Sequence, residues 1–403
     1  MKLKYVVLMV FCFLSGFSIM AQNNKKNREM QQIIANNFDF ASKQYQYLEK
    51  SCPLDSMPRS FIKNKHKNSD AYWWCSGFYP GTLFYIYEYT KDSKILKQAE
   101  KRLAILDTVQ YFTKNHDLGF MMFCSYGNAY RLTQKPYYKK VVLQSAESLA
   151  SRYRPNAKVI QSWEITDGGL QKRDFVGPVI IDNMMNLEML EWASHNSGDK
   201  KFAEIAETHA NTTIKNHFRP DFSSYHVLDY NLNTGEVRKK VTAQGAADSS
   251  AWSRGQSWAL YGYTMMYRFT KNPDYLKQAK GVAQFILNHP NLPEDKIPYW
   301  DFNATEIPNA LRDVSAASIN ASALLELAQY SQGNERKEYI KVAETIIKGL
   351  SSPKYRAELG KNGGFLLMHS VGSIPHKSEI DVPLTYADYY FLEALLRYKK
   401  WYL

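Results

Sequence analysis

The chain has 403 residues, 45% of them hydrophobic, enough to bury a large core in one or two domains. Its formal charge of +12 is spread over helix faces and short tracts such as Lys63 to Lys67, without a nucleic-acid-binding motif. That balance suits a solvated basic surface or a polyanionic substrate, and the four cysteines have neither zinc-ligand spacing nor the density of a disulfide scaffold.

At the N-terminus, Lys2 and Lys4 precede the apolar run Tyr5 to Leu14, and Ser18-Ile19-Met20-Ala21 offers a small-residue cleavage site. This pattern predicts a secretory signal over 1–21 and export to the periplasm or the medium. The apolar run is too short for a membrane anchor, and Cys12 lacks the small residues that precede a lipoprotein cysteine. Loss of Cys12 with the leader leaves Cys52, Cys75 and Cys124, of which at most one pair is expected to bridge. Residues 22–403 then form a single domain. The polar tract Asn23 to Arg28 is a predicted flexible lead-in, and a helix is expected from about Met30 to Lys50.

Beyond it one pattern recurs: an aromatic-rich apolar helix, a polar turn, then an amphipathic helix. The turns fall at Thr90 to Ser93, Thr133 to Pro136, Asn196 to Asp199, Thr270 to Pro273 and Ser331 to Asn334. In the first, fourth and fifth copies the second helix keeps apolar residues at i, i+3, i+7 and i+10, as in Leu276, Ala279, Ala283 and Ile286. Such a helix shows one face to a core and a Lys/Glu face to water. The last helix, about Tyr386 to Trp401, has no following partner, and the helix near Met30 has no preceding one. Pairing of these two closes about six hairpins into a ring, an all-α (α/α)6 barrel. Strand signals are few. Tyr225 to Tyr230 and Glu236 to Val241 flank Asn231 to Gly235 and read as one β-hairpin in a loop.

The unusual residues lie in the longer loops, which converge on one end of such a ring, where function is usually carried. Asp182 and Asn183 stand before a segment apolar over most of its circumference, with Met185, Met189 and Trp192 on one stripe. Asp182 reads either as a helix N-cap or as a carboxyl that burial keeps protonated near neutral pH, able to deliver a proton. The 29 tyrosines and 8 tryptophans supply helix packing and, in part, flat faces for sugar rings.

Five motifs, in order, resemble glycoside hydrolase family 88, the unsaturated glucuronyl hydrolases. They are Trp74-Cys75-Ser76-Gly77-Phe78-Tyr79-Pro80-Gly81, His116-Asp117-Leu118-Gly119-Phe120 and Asp182-Asn183-Met184-Met185-Asn186-Leu187. Gln244-Gly245 with Ser253-Arg254-Gly255-Gln256-Ser257-Trp258 follows, then Glu379 to Leu384 with Tyr386-Ala387-Asp388-Tyr389-Tyr390. The resemblance spans nearly the whole mature chain. It implies an (α/α)6 barrel without metal or cofactor. The implied substrates are oligosaccharides that polysaccharide lyases leave with a 4,5-unsaturated uronic acid at the non-reducing end.

By motif, Asp182 matches the general acid/base and Asp117 the second carboxylate, expected to stay charged and to raise the proton affinity of Asp182. Arg254 is expected to grip the substrate carboxylate bidentately, and Trp74 and Trp258 to stack on sugar faces. His226 and Gln244 match positions that bond substrate or water, and His116, which adjoins Asp117, is expected by the same resemblance to bind substrate. Tyr386, in preference to Tyr389, is expected to reach the site. Ser370 and Ser373 match in part a sulfate-tolerance pattern whose lysine is here displaced to Lys377. The alternatives are an unsaturated rhamnogalacturonyl hydrolase on the same barrel, a sugar epimerase on the same toroid, and a non-catalytic glycan-binding helical repeat. A monomer is expected.

Overall fold

The computed structural model describes residues 2–165 and 172–403, with side chains from Lys26 onward. The expected signal segment, 1–21, falls outside the described side chains.

Among the described residues the helices are α1 (Lys2–Ser51), α2 (Phe78–Thr90), α3 (Ser93–Ala104), α4 (Asn128–Thr133), α5 (Pro136–Ala150) and α6 (Leu187–Ser197). They continue with α7 (Lys201–His217), α8 (Ser253–Thr270), α9 (Pro273–Asn288), α10 (Val314–Leu327), α11 (Gly333–Leu350) and α12 (Thr385–Tyr402). The inner wall is α2, α4, α6, α8, α10 and α12. The outer layer is α3, α5, α7, α9 and α11, completed by α1. This is the (α/α)6 barrel expected from the hairpin pattern.

All five predicted turns join an inner helix to the outer helix that follows it. Four inner helices end on a left-handed residue, Lys91, Gln134, Gly198 or Lys271. The next helix is then started by a side-chain cap or a proline. Asp92 accepts from the Lys94 N–H at 2.8 Å and Asn272 from that of Asp274 at 3.0 Å, while Pro136 and Pro273 open α5 and α9.

The ring closes as predicted. Along α1, Met30, Ile34, Phe38, Ala41, Tyr45 and Leu48 are buried at helical spacing, and the Tyr45 hydroxyl donates to Asp388 Oδ2 of α12 at 3.0 Å. Against expectation, α1 runs through the Asn23–Arg28 tract as helix. Met185 and Met189 are buried as the stripe required, but α6 starts only at Leu187, after a 3₁₀ turn over Ile181–Asn186. The second inner helix begins as a wide π-helical stretch, Gly119–Gly127, before α4.

The expected hairpin is present as β6 (Val227–Tyr230) and β7 (Val237–Val241), and β5 (Pro178–Ile180) extends it to three antiparallel strands. Three further hairpins were not apparent from the sequence pattern. They are β1 (Met57–Ile62) with β2 (Lys65–Ser69), β3 (Tyr153–Arg154) with β4 (Val159–Ile160), and β8 (Ser370–Ser373) with β9 (Ser378–Val382). Lys63 and Asn64, part of the basic tract, form the left-handed turn of the first. Cys52, Cys75 and Cys124 are all free thiols. No helix among the described residues is long and apolar enough to cross a membrane.

Candidate active site

Every inner helix begins at the same end of the barrel, and the residues singled out from the sequence lie at those beginnings. Trp74 precedes α2, and Asp117 precedes the π-helical stretch. Asp182 precedes α6, Arg254 opens α8, and Tyr386 opens α12. The N-terminal, electropositive ends of the helices therefore face one pit.

Asp182 is placed by the sheet. Strand pairing of Ile180 with Val227, and the bond from the Ile181 N–H to the His226 carbonyl (3.0 Å), set the His226 ring beside it. His226 Nε2 lies 3.7 Å from Asp182 Oδ2. His226 Nδ1 accepts the backbone N–H groups of Ala243 (3.0 Å) and Gln244 (3.1 Å), so the ring proton resides on Nε2 and points at Asp182. Burial, with Arg254 adding to it, holds the imidazole well below its ordinary range, hence neutral. Gln244 thus serves the site through its backbone.

Asp117 is placed by Asn186. Asn186 Oδ1 accepts the Phe120 N–H at 3.3 Å, and Asn186 Nδ2 lies 3.4 Å from His116 Nδ1. Gly119 makes this approach possible, because a Cβ there would stand 2.5 Å from Asn186 Oδ1 and 2.6 Å from its Cα. Gly119→Ala should therefore cost about 1–3 kcal/mol of stability and lower turnover. Thermal unfolding with an unchanged midpoint would count against this packing.

Burial pushes Asp182 up to about 7, against the pull of the Arg254 charge. Burial and then the Asp182 charge push Asp117 up to about 8. The like-charge coupling is reciprocal, each carboxylate raising the proton affinity of the other, and burial is the larger cause at both. The two titrate as a pair that retains a proton at neutral pH.

The remaining wall is a continuous run of rings from His226 to Trp258. Arg254 lies 4.4 Å above Trp252 and 5.3 Å from the Tyr386 ring, and Trp252 lies 4.6 Å from His226. Tyr386 meets Trp74 at 4.8 Å, Trp74 meets Phe120 at 5.5 Å, and Phe120 meets Trp258 at 5.0 Å. Five buried polar atoms of the pit have no hydrogen-bond partner among the described residues: Asp182 Oδ2, His226 Nε2, Trp258 Nε1, Arg254 Nε and Tyr386 OH. Such groups are costly to bury together unless a polar ligand engages them.

Three expectations are corrected. Trp258 is wholly buried between Phe120 and Tyr390, so its ring face cannot receive a sugar, and it offers the indole N–H instead. His116 is also wholly buried, with Nε2 3.3 Å from Asp117 Oδ1, so it orients that carboxylate from behind. Arg254 is largely committed within the protein. Its Nη1 donates to Asp313 Oδ2 (3.2 Å) and the Val371 carbonyl, and its Nη2 donates to the Gly372 carbonyl (2.7 Å). Nε is the donor left over, so a bidentate grip is not available in this arrangement. Tyr386 is in the run of rings as preferred, whereas Tyr389 bonds Tyr85 and Asn128 away from it.

Asp313 was missed. It is the true N-cap here: Oδ1 accepts from the Ser315 N–H (3.0 Å) and hydroxyl (2.6 Å) while Oδ2 meets Arg254. The signal was present as an Asp-x-Ser helix start at the active end. Asp182 caps nothing through its side chain.

The barrel's other end opens into a cavity of about 970 Å³, whose arginines and glutamates are paired with one another. Arg268 bonds Glu188 and Glu326 (both 2.6 Å), and Glu393 accepts from Tyr85 (2.8 Å), Tyr261 (3.1 Å) and Ser322 (2.5 Å). Large as it is, it lacks the unpaired polar atoms of the pit. No cluster of His, Cys, Asp or Glu suited to a metal occurs among the described residues.

Residues 54–401 match the model of Glycosyl Hydrolase Family 88. The chain is 42% identical over 406 residues to an unsaturated glucuronyl hydrolase of Formosa agariphila, covering 98% of each. It is 33% identical to an unsaturated chondroitin disaccharide hydrolase of Streptococcus pyogenes serotype M1, covering 84% of each. Among solved structures, an unsaturated glucuronyl hydrolase specific for heparin superposes with a TM-score of 0.88 at 43% identity, over 92% of this chain and 97% of that one. The corresponding enzyme of Bacillus sp. GL1, responsible for glycosaminoglycan degradation, gives 0.84 at 31% identity over the same shares.

Proposed function

Because the chain belongs to glycoside hydrolase family 88 and is an unsaturated glucuronyl hydrolase, we propose that its pit removes a 4,5-unsaturated uronic acid from lyase-generated glycosaminoglycan-type oligosaccharides. The carrying observation is the buried Asp182–Asp117 pair, holding a proton at neutral pH with the His226 N–H 3.7 Å from Asp182.

The substrate is a vinyl ether, so its easy step is protonation at C4, leaving positive charge shared by C5 and the ring oxygen. Asp182 gives that proton and becomes a carboxylate. Water adds at C5, losing its proton to Asp182. The resulting hemiketal opens and releases the remainder of the sugar chain. His226 cannot be the base, because its Nδ1 is occupied as an acceptor and its Nε2 bears the proton. It orients water toward Asp182. The pair keeps one proton between its two carboxyls, and with that proton on Asp182 the charge rests on Asp117, where it stabilises the developing cation. The convergent helix N-termini, with Arg254 Nε, favour the uronate carboxylate. Because the glycosidic bond is not attacked directly, the separation rule for retaining and inverting carboxylates does not apply. The chain's own start, Lys2 to Ala21, supports export as part of the same proposal; N-terminal sequencing of the secreted protein beginning at Gln22 would support it.

The test is loss of the near-ultraviolet absorbance of the conjugated double bond, using a panel of unsaturated disaccharides. Wild type should bleach at least one, and bleaching of none would sink the reading. The pH profile has a definite sign. The acid must be protonated, so kcat/KM should fall as pH rises through about 7 to 8. A plateau extending past pH 9 would remove the protonated pair from the mechanism.

A further inference from the structure

Outside the run of rings stands Trp73, 39% exposed, next to the half-buried Trp74. Isolated exposed aromatics are common on protein surfaces, but this one is held in place. The Arg59 guanidinium lies 4.2 Å over one face of its ring. Arg59, itself only 22% exposed in its side chain, is pinned by an ion pair from Nε to Glu379 Oε1.

Both supports are tied to the pit. Arg59 belongs to β1, which the neighbouring Ser60 hydroxyl fastens to the Pro383 carbonyl (2.7 Å), just ahead of α12 and Tyr386. Glu379 belongs to β9, in the left-handed conformation (φ 55°). A Cβ on Gly372, in β8, would stand 2.7 Å from the Glu379 Cβ. The carbonyl of that same Gly372 binds Arg254 Nη2 at 2.7 Å. One hairpin therefore holds the arginine inside the pit and the arginine–tryptophan stack outside it.

We propose that Trp73, backed by Arg59 and Glu379, is the platform for the pyranose ring on the leaving-group side of the substrate. The inference rests on the functional reading above: the unsaturated ring must reach Asp182 and Asp117 in the pit, and Trp73 stands next to Trp74, whose ring meets Tyr386 and Phe120 of the pit wall. A rigid aromatic face matches the C–H face of a pyranose. Pre-set support removes the ordering cost that a mobile tryptophan would add on binding. Trp73 is a binding residue that contributes to recognition of the leaving sugar, and it takes no part in proton transfer.

Trp73→Ala and Trp73→Phe should be assayed on an unsaturated disaccharide and on the methyl glycoside of the same unsaturated uronic acid. Trp73→Ala should raise KM for the disaccharide about three- to tenfold with kcat within about twofold. The methyl glycoside should be insensitive to the change, and Trp73→Phe should recover most of the loss. Equal changes on both substrates, or none on either, with wild type active, would overturn the platform alone. Wild type inactive on both would overturn the functional reading and the platform with it.

Discussion

Asp182→Asn is expected to lower kcat by about 10²- to 10⁴-fold, the range that general acid catalysis supplies, while leaving the fold intact and KM within a few-fold. The amide keeps the shape of the carboxyl and can still face His226 Nε2, but it has no proton to give to C4 and no charge with which to recover one from water. The same substitution should stabilise the protein at alkaline pH. The Asp182 carboxyl titrates at about 7 in the folded chain, above the ordinary value of about 3.9. Its contribution to stability is therefore complete below about pH 4 and is lost as pH rises through 7. Asparagine escapes that loss. Its melting temperature should exceed wild type above pH 7, with the gap closing toward pH 4. Wild-type turnover in Asp182→Asn would remove this residue from the chemistry, whatever the stability data showed.

Arg254→Met should destabilise the protein by about 3–5 kcal/mol, the cost of leaving a buried charge without its partner. Asp313 is fully buried, and it would lose its cation while the Val371 and Gly372 carbonyls lost their donors. Double-mutant analysis separates this from simple loss of packing. Asp313→Asn should be costly too, but Arg254→Met/Asp313→Asn should cost clearly less than the two added, because each single change includes the penalty of the orphaned ion. Strict additivity in urea unfolding would mean that the pair is not coupled. The unfolding data also bear on activity, since Arg254→Met removes the charge that draws the Asp182 value down. Any residual activity should persist to a higher pH than in wild type.

The sequence disclosed the fold where signals are local. A turn such as Thr270-Lys271-Asn272-Pro273 combines a left-handed residue, a side-chain cap and a proline within four positions, and the apolar spacing on either side names the inner and outer helix. The segments of the candidate site were legible through motifs because each lies in one continuous stretch. The harder features depended on partners far away in the chain. Arg254 reads as a ligand-gripping arginine until Val371 and Gly372, more than a hundred residues later, are seen to occupy it. Trp74 and Trp258 are the same residue type in similar motifs, yet only Trp74 keeps surface, because Phe120 and Tyr390 close over Trp258. The β8–β9 hairpin contains left-handed Lys377, Glu379 and Asp381, which break the alternation that would have announced a strand. Asp182 and Asp313 both precede inner-wall helices. Which of them caps and which is left free to hold a proton was decided by the 3₁₀ turn Ile181–Asn186 that contains Asp182, which no propensity of that segment displays.

The meeting of α1 with α12 has a mechanical meaning for the whole molecule. An open stack of helical hairpins can unzip from either end, since its terminal repeat has a neighbour on one side only. Here the first and last helices are each other's neighbours through Tyr45 and Asp388, so there is no terminal repeat at which loosening can start. To release any one hairpin, contacts on both of its flanks must break together. The pit is built from the starts of all the inner helices, and its shape is therefore guarded by the cooperativity of the full circle rather than by the stability of any one segment.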